Sequence, residues 1–189
     1  MASNRFDRFV SDLDALVARQ PAETEILSTG AALLRALVAV DDWLDPGLAQ
    51  GDPERYQQYL LYCDPQARFS VVSFVWGPGQ STPIHNHTVW GLIGMLRGGE
   101  IDQRYRAGPD GRLEADGAAA ILRAGDVATL SPATGDIHKV TNLHPDQVSV
   151  SIHAYGADIG RVSRSTFDLE GGRKTFVSGY SNVPARKAP

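Results

Sequence analysis

Cysteine is nearly missing. Cys63 is the one thiol in 189 residues, so no intramolecular disulfide can form and stability must come from packing. Such usage fits a reducing compartment, and a cytoplasmic location is expected. Positive charge is also short. The chain has 18 Lys and Arg against 22 Asp and Glu, a net charge of −4, and no basic cluster. That argues against a nucleic-acid or membrane-surface partner. No apolar run approaches a membrane span. Met1 to Arg5 shows no charged segment leading into an apolar one, so no signal peptide is expected. Internal repeats and low-complexity stretches are absent too. What remains is ordinary: 42% hydrophobic and 21% charged residues, in a length that suits one domain with its own core.

The first third has a helical rhythm. Phe6, Phe9, Val10, Leu13, Leu16 and Val17 recur at spacings of three and four, which predicts an amphipathic helix. Pro21 ends it or opens the next one. A second helical pattern runs through Ala31 to Val38 and stops before the turn signal Asp45-Pro46-Gly47. From about Arg55 the period changes. Short runs rich in Val, Ile, Phe and Thr alternate with Gly, Pro, Asn and Asp clusters. Strands are expected over Arg68 to Trp76, Val127 to Leu130 and Gln147 to Tyr155, with a hairpin turn at Gly108-Pro109-Asp110-Gly111. Many short strands in one domain predict a barrel or double-sheet jelly roll. The expected organisation is a helical cap at 1–50, a β-barrel at 55–180 and a tail at 181–189, of which Pro184 to Pro189 is expected to be mobile.

Two groups of residues carry chemistry. His85 and His87 lie two apart, so on a strand they share a face, and imidazole is the commonest ligand for mid-row divalent metals. A lone His-x-His pair is more often two polar strand residues than a metal site. His138, in the second glycine-rich stretch Gly135-Asp136-Ile137-His138, supplies a third ligand and turns that balance. The second group is Ser151-Ile152-His153-Ala154-Tyr155. Alternation puts Ser151, His153 and Tyr155 on one side of a strand, where hydroxyl, imidazole and phenol can form a hydrogen-bond chain. The serine would fix the imidazole tautomer, and the imidazole would orient the phenol. Cys63, Trp76 and Trp90 read as core residues and His144 as a turn residue.

These motifs resemble a known family. Gly79-x5-His85-x-His87, ending at Gly98, resembles the first cupin motif. Gly125 through Pro132-x2-Gly135-x2-His138-x3-Asn142 resembles the second, with one extra residue before the proline. The resemblance covers about Arg55 to Tyr180 and implies a double-stranded β-helix barrel. Cupins usually carry a glutamate ligand where this chain has Gly91, so the implied site has three histidines and no carboxylate. That set, together with a Ser-x-His-x-Tyr row, is characteristic of the cysteine dioxygenase-like thiol dioxygenases. The resemblance implies Fe(II) on His85, His87 and His138, with O2 and a small carboxylate thiol as partners and a sulfinate as product. Tyr155, backed by His153 and Ser151, would act on the substrate and oxygen. Ligand type alone does not exclude zinc.

The subtype rests on fewer positions. Animal cysteine dioxygenases have a carboxylate-binding arginine where this chain, allowing a one-residue gap, has Gln58. They also have a cysteine cross-linked to the strand tyrosine where this chain has Gly91. Glutamine without the cross-link resembles the bacterial 3-mercaptopropionate dioxygenases, which makes 3-mercaptopropionate the expected substrate. In that subgroup a later arginine takes the carboxylate, and Arg164 is the best match ahead of Arg161. Cysteine is the rival substrate. A metal cupin of another kind, an isomerase or a ligand-binding protein, is the alternative class. Oligomeric state is not written in the sequence.

Overall fold

A computed structural model describes residues 5–183, and the expected mobile segment at 184–189 lies outside them. Two helices open the chain, α1 (Arg5–Ala18) and α2 (Glu23–Val38). The second starts well ahead of its apolar run, with Glu23 and Glu25 placed favourably at the positive end of the helix dipole. It is followed by Trp43, whose indole N–H donates to the Leu37 carbonyl while its ring stacks on Phe6.

Twelve strands follow among the described residues: β1 (Gln57–Cys63), β2 (Ser70–Trp76), β3 (Ile84–His85), β4 (Gly91–Arg97), β5 (Gly99–Ala107), β6 (Leu113–Ala115), β7 (Ala120–Arg123), β8 (Val127–Leu130), β9 (His138–Asn142), β10 (Ser149–Tyr155), β11 (Arg164–Phe167) and β12 (Arg173–Phe176). One sheet has the order β1-β2-β10-β4-β8. The other has the order β12-β11-β3-β9-β5-β6, with β7 also paired to β5. All the pairings are antiparallel, and together the sheets form the mainly β, cupin-type barrel with N-terminal helices that the sequence predicts.

Strand alternation divides the side chains of β10 between two apolar cores. On β10, Val150, Ile152 and Ala154 face outward and join Leu13, Leu34 and Leu37 of the helices in one core. Full burial of a side chain of that size contributes about 1.5–3 kcal/mol over leaving it exposed. Ser151, His153 and Tyr155 alternate onto the other face, where Tyr155 packs with Val72, Phe74, Trp76 and Val140 inside the barrel. Both faces of β10 are therefore buried, which explains its unbroken run of buried residues. Close approach of helix to sheet depends on small residues. A Cβ on Gly94 would meet Leu34 Cγ at 2.9 Å, and one on Gly30 would meet Leu92 Cδ1 at 2.7 Å. Larger side chains at either position would push α2 off β4.

Candidate metal centre

Two strands of the second sheet, and the segment that follows the first of them, deliver the histidines. His85 ends β3 and pairs in register with His138 at the start of β9. His87 lies beyond the end of β3 rather than on it, so strand alternation alone does not aim it. Asp136 does that instead. Its Oδ2 accepts the backbone N–H groups of His87 and Thr88 at 2.8 and 2.7 Å. Thr88 sits at φ 61°, a left-handed conformation costly for a β-branched residue, and the two bonds to Asp136 hold it there.

The three rings converge. Their centroids are 4.7, 4.8 and 4.9 Å apart in pairs, and their ligand nitrogens all lie within 4.8 Å of one another, with no carboxylate in the group. Each Nδ1 faces an acceptor: the Pro83 carbonyl at 3.1 Å for His85, the Asp136 carbonyl at 3.1 Å for His87, and Asp102 Oδ1 at 2.8 Å for His138. Carbonyl and carboxylate oxygens only accept, so Nδ1 carries the proton and Nε2 keeps its lone pair for a metal. Burial, reinforced by the neighbouring imidazoles, holds His85 and His87 well below the ordinary histidine pKa, so both stay neutral. Burial pushes the Asp102 carboxyl up, but the His138 hydrogen bond and the Arg104 charge at 3.0 Å outweigh it, and Asp102 stays ionised. Three imidazoles with fixed orientation, each presenting Nε2, suit a divalent cation of the iron or zinc type.

Beside this cluster runs a polar row. Tyr155 stacks on His87 with centroids 5.3 Å apart. Its hydroxyl lies 2.8 Å from His153 Nδ1, and His153 Nε2 lies 2.8 Å from Ser151 Oγ. The row does not stop at Ser151. Ser151 Oγ is 2.5 Å from Glu100 Oε1 and accepts from the Trp76 indole N–H at 3.1 Å. Trp76 is thus a hydrogen-bond donor as well as a core residue. Burial drives His153 down to about 3, so it is neutral, and burial raises the Tyr155 phenol above its ordinary range.

Arg164 and Gln58 meet through Ser178. Arg164 Nη2 donates to Ser178 Oγ at 2.6 Å, and Gln58 Nε2 donates to Ser178 Oγ at 3.2 Å and to the Gly179 carbonyl at 3.0 Å. Arg164 is 4% exposed, its guanidinium lies 4.8 Å over the Phe176 ring, and its Nε has no partner. Arg161, by contrast, is an exposed residue paired with Asp158 at 3.2 Å. A cavity of about 290 Å³ opens here, lined by Arg55, Tyr56, Gln58, Phe176, Ser178 and Tyr180 among others. Gly91 pairs in register with Tyr155, and a Cβ there would lie 3.1 Å from Tyr155 Cδ1, so no thiol stands at that position. Cys63 is only half-buried, against the expectation of a core residue.

Sequence reasoning passed over Asp102, Asp136, Glu100 and Ser178 as site residues. For two of them a signal existed: Glu100 and Asp102 are two apart at the start of β5, where alternation puts both on one face. Both are almost fully buried, at 0% and 3% exposure, which is unusual for carboxylates without partners.

Comparison with known proteins agrees with this geometry. A family model described as cysteine dioxygenase type I matches residues 9–166. Cysteine dioxygenase type 1 of Danio rerio is 26% identical over 147 residues, 74% of this chain and 70% of that protein. The Homo sapiens protein of the same name is 25% identical over 132 residues, 69% of this chain and 64% of that one. The chain thus spans about two thirds of the length of these relatives. Among solved structures it is similar to a conserved Klebsiella pneumoniae protein with a double-stranded beta-helix domain, at 17% identity and TM-score 0.48 over 59% of this chain and 80% of that one. It is also similar to a cupin superfamily protein from Desulfitobacterium hafniense, at 13% identity and TM-score 0.46 over 63% and 94%.

Proposed function

The chain belongs to the cysteine dioxygenase type I family, and from that premise we propose that it is an iron-dependent dioxygenase that adds both atoms of O2 to the sulfur of a small carboxylate thiol, yielding the sulfinic acid. The observation that carries this reading is the convergence of His85, His87 and His138, each with Nδ1 tied and none joined by a carboxylate. Fe(II) held by these three imidazoles would supply the redox chemistry between thiol and O2, with coordination positions left for both reactants.

The protein's own residues do the rest. The unpaired Nε of Arg164, beside an Nη2 already held by Ser178, suits a substrate carboxylate, which a planar guanidinium binds through parallel hydrogen bonds. Tyr155 lies next to the histidine cluster and offers a hydroxyl whose other contact is His153. Val72, Phe74 and Val140 wall the interior against water. No helix among the described residues is long and apolar enough to cross a membrane. A single cysteine and a thiol substrate both suit a reducing cytoplasm.

The named relatives favour cysteine as the thiol. A second reading, 3-mercaptopropionate, has its own support. Gln58 is the residue joined to Ser178 beside Arg164, and no carboxylate among the described residues lines the adjoining cavity to pair with a substrate ammonium. Oxygen uptake by the Fe(II)-loaded protein, measured with each thiol alone and in competition, separates these readings. The thiol with the higher kcat/KM is the substrate; no thiol-dependent uptake with either would remove the dioxygenase assignment.

A further inference from the structure

The row that ends at Tyr155 begins at a carboxyl group that lies outside the three-histidine cluster. Glu100 is fully buried on β5 and reaches across the barrel to Ser151 on β10. Its Oε2 has no hydrogen-bond partner. The other ionisable groups of the row are His153 and Tyr155 on β10, and Asp102 stands two residues along β5. From the remaining neighbours come the indole of Trp76 on β2 and, in register with Glu100, Leu122 on β7 and Asn142 on β9, none of which ionises near neutral pH. Met95 of β4 pairs in register with Ser151 and is likewise neutral.

We propose that Glu100 is a positioning residue whose protonation sets the direction of every hydrogen bond in the row and so decides whether Tyr155 can give its proton to a substrate. A serine hydroxyl has one proton and two lone pairs, a neutral imidazole has one N–H, and the Trp76 indole only donates. Two arrangements satisfy these limits with every proton of the row lying between partners. With Glu100 ionised, Ser151 donates to it and accepts from Trp76 and from His153 Nε2–H. His153 Nδ1 is then an acceptor, and it takes the Tyr155 proton. With Glu100 protonated, the acid donates to Ser151, Ser151 donates to His153 Nε2, and the imidazole proton sits on Nδ1. There it donates to the Tyr155 oxygen, which frees the phenolic O–H for a substrate. Each arrangement uses the same four distances, 2.5, 2.8, 2.8 and 3.1 Å.

The surroundings favour the protonated form. A buried carboxylate with one bare oxygen pays heavily for its charge, and Asp102 adds repulsion. Burial first, then Asp102, raises Glu100 to about 7 against the opposing pull of Ser151 and Trp76. His153 remains neutral throughout, so the row switches by moving protons between partners rather than by gaining charge at the ring. What Tyr155 does with a released proton rests on the dioxygenase reading above; the direction of the hydrogen bonds does not.

The test reads the tautomer of His153 by nitrogen NMR of 15N-histidine-labelled protein loaded with Zn(II), which keeps the lines sharp, with His153→Gln identifying its signals among five histidines. Between about pH 5.5 and about pH 9, His153 is expected to pass from the Nδ1–H to the Nε2–H form, with a midpoint near Glu100's value of about 7. In Glu100→Gln, whose side chain cannot ionise, one tautomer should persist across the range, and kcat of the iron-loaded variant should lack the alkaline decline expected of wild type. A single wild-type tautomer throughout, a switch that survives in Glu100→Gln, or an imidazolium at the acid end would each overturn the proposal. A clean switch without thiol oxidation would instead count against the dioxygenase reading and leave Glu100's role standing.

Discussion

The two polar assemblies on either side of Tyr155 are built on opposite rules. In the histidine cluster each Nδ1 faces an oxygen that can only accept, two of them backbone carbonyls and one an ionised carboxylate. Every proton there has one place to be, and the three Nε2 lone pairs are always presented. In the row from Glu100 to Tyr155 each oxygen can donate or accept, and each imidazole nitrogen is free to do either. The difference teaches what each part is for. A metal site needs constant ligands, whereas a group that supplies a proton during turnover needs a partner that can change roles. Burial serves both ends: it keeps His85 and His87 neutral and keeps Glu100 poised between its two forms.

The largest effect should come from breaking the constant side. His138→Ala is expected to lose the ion, measured by metal analysis, and with it turnover, down to the level of free Fe(II). Arg164→Met touches neither assembly and should raise KM with kcat largely kept, by about 2–5 kcal/mol if it pairs with a buried carboxylate; unchanged KM would redirect attention to Arg161 or Gln58. Asp102→Asn leaves the ligands in place but weakens the hold on His138, and a metal titration should show about 10–100-fold lower affinity. Ser151→Ala cuts the reversible side, so metal content and KM should not change while kcat drops by roughly two- to tenfold, the worth of one hydrogen bond at about 0.5–1.5 kcal/mol. The smallest effect is on stability. Glu100 is raised from 4.5 to about 7, so in that window the folded protein holds a proton that the unfolded chain has released. Its contribution is full below 4.5 and is lost as pH rises through about 7. The Tm of wild type relative to Glu100→Gln should therefore fall across the window, and a flat difference would contradict the assigned burial.

What could be read from the chain follows the range over which its signals act. Alternation and glycine clusters are local, so the strand rhythm from Arg55, the strands β2, β8 and β10, the three histidines and the Ser151-His153-Tyr155 row are legible in the chain. Partners set by barrel closure are not. Glu100 meets Ser151 across 51 residues and Asp102 meets His138 across 36, and no local pattern says which strands will face each other. Nothing local in the sequence marks Gln58 as buried. It is buried because the segment around Ser178 to Asn182 folds back over β1, with the Ser181 N–H on the Gln58 carbonyl at 2.8 Å. The resemblance ranks Arg164 ahead of Arg161, but spacing alone aims neither side chain. A short 3-10 turn at Ile159–Arg161 leaves Arg161 in solvent, while β11 carries Arg164 inward.

The central claim is that one iron ion is held by three imidazoles and no carboxylate. Crystals of the Fe(II)-loaded protein, with anomalous scattering measured at the iron edge, test it most directly. The account predicts a single peak bonded to Nε2 of His85, His87 and His138. A peak elsewhere, or one that also draws in Glu100 or Asp102 as a ligand, would contradict it.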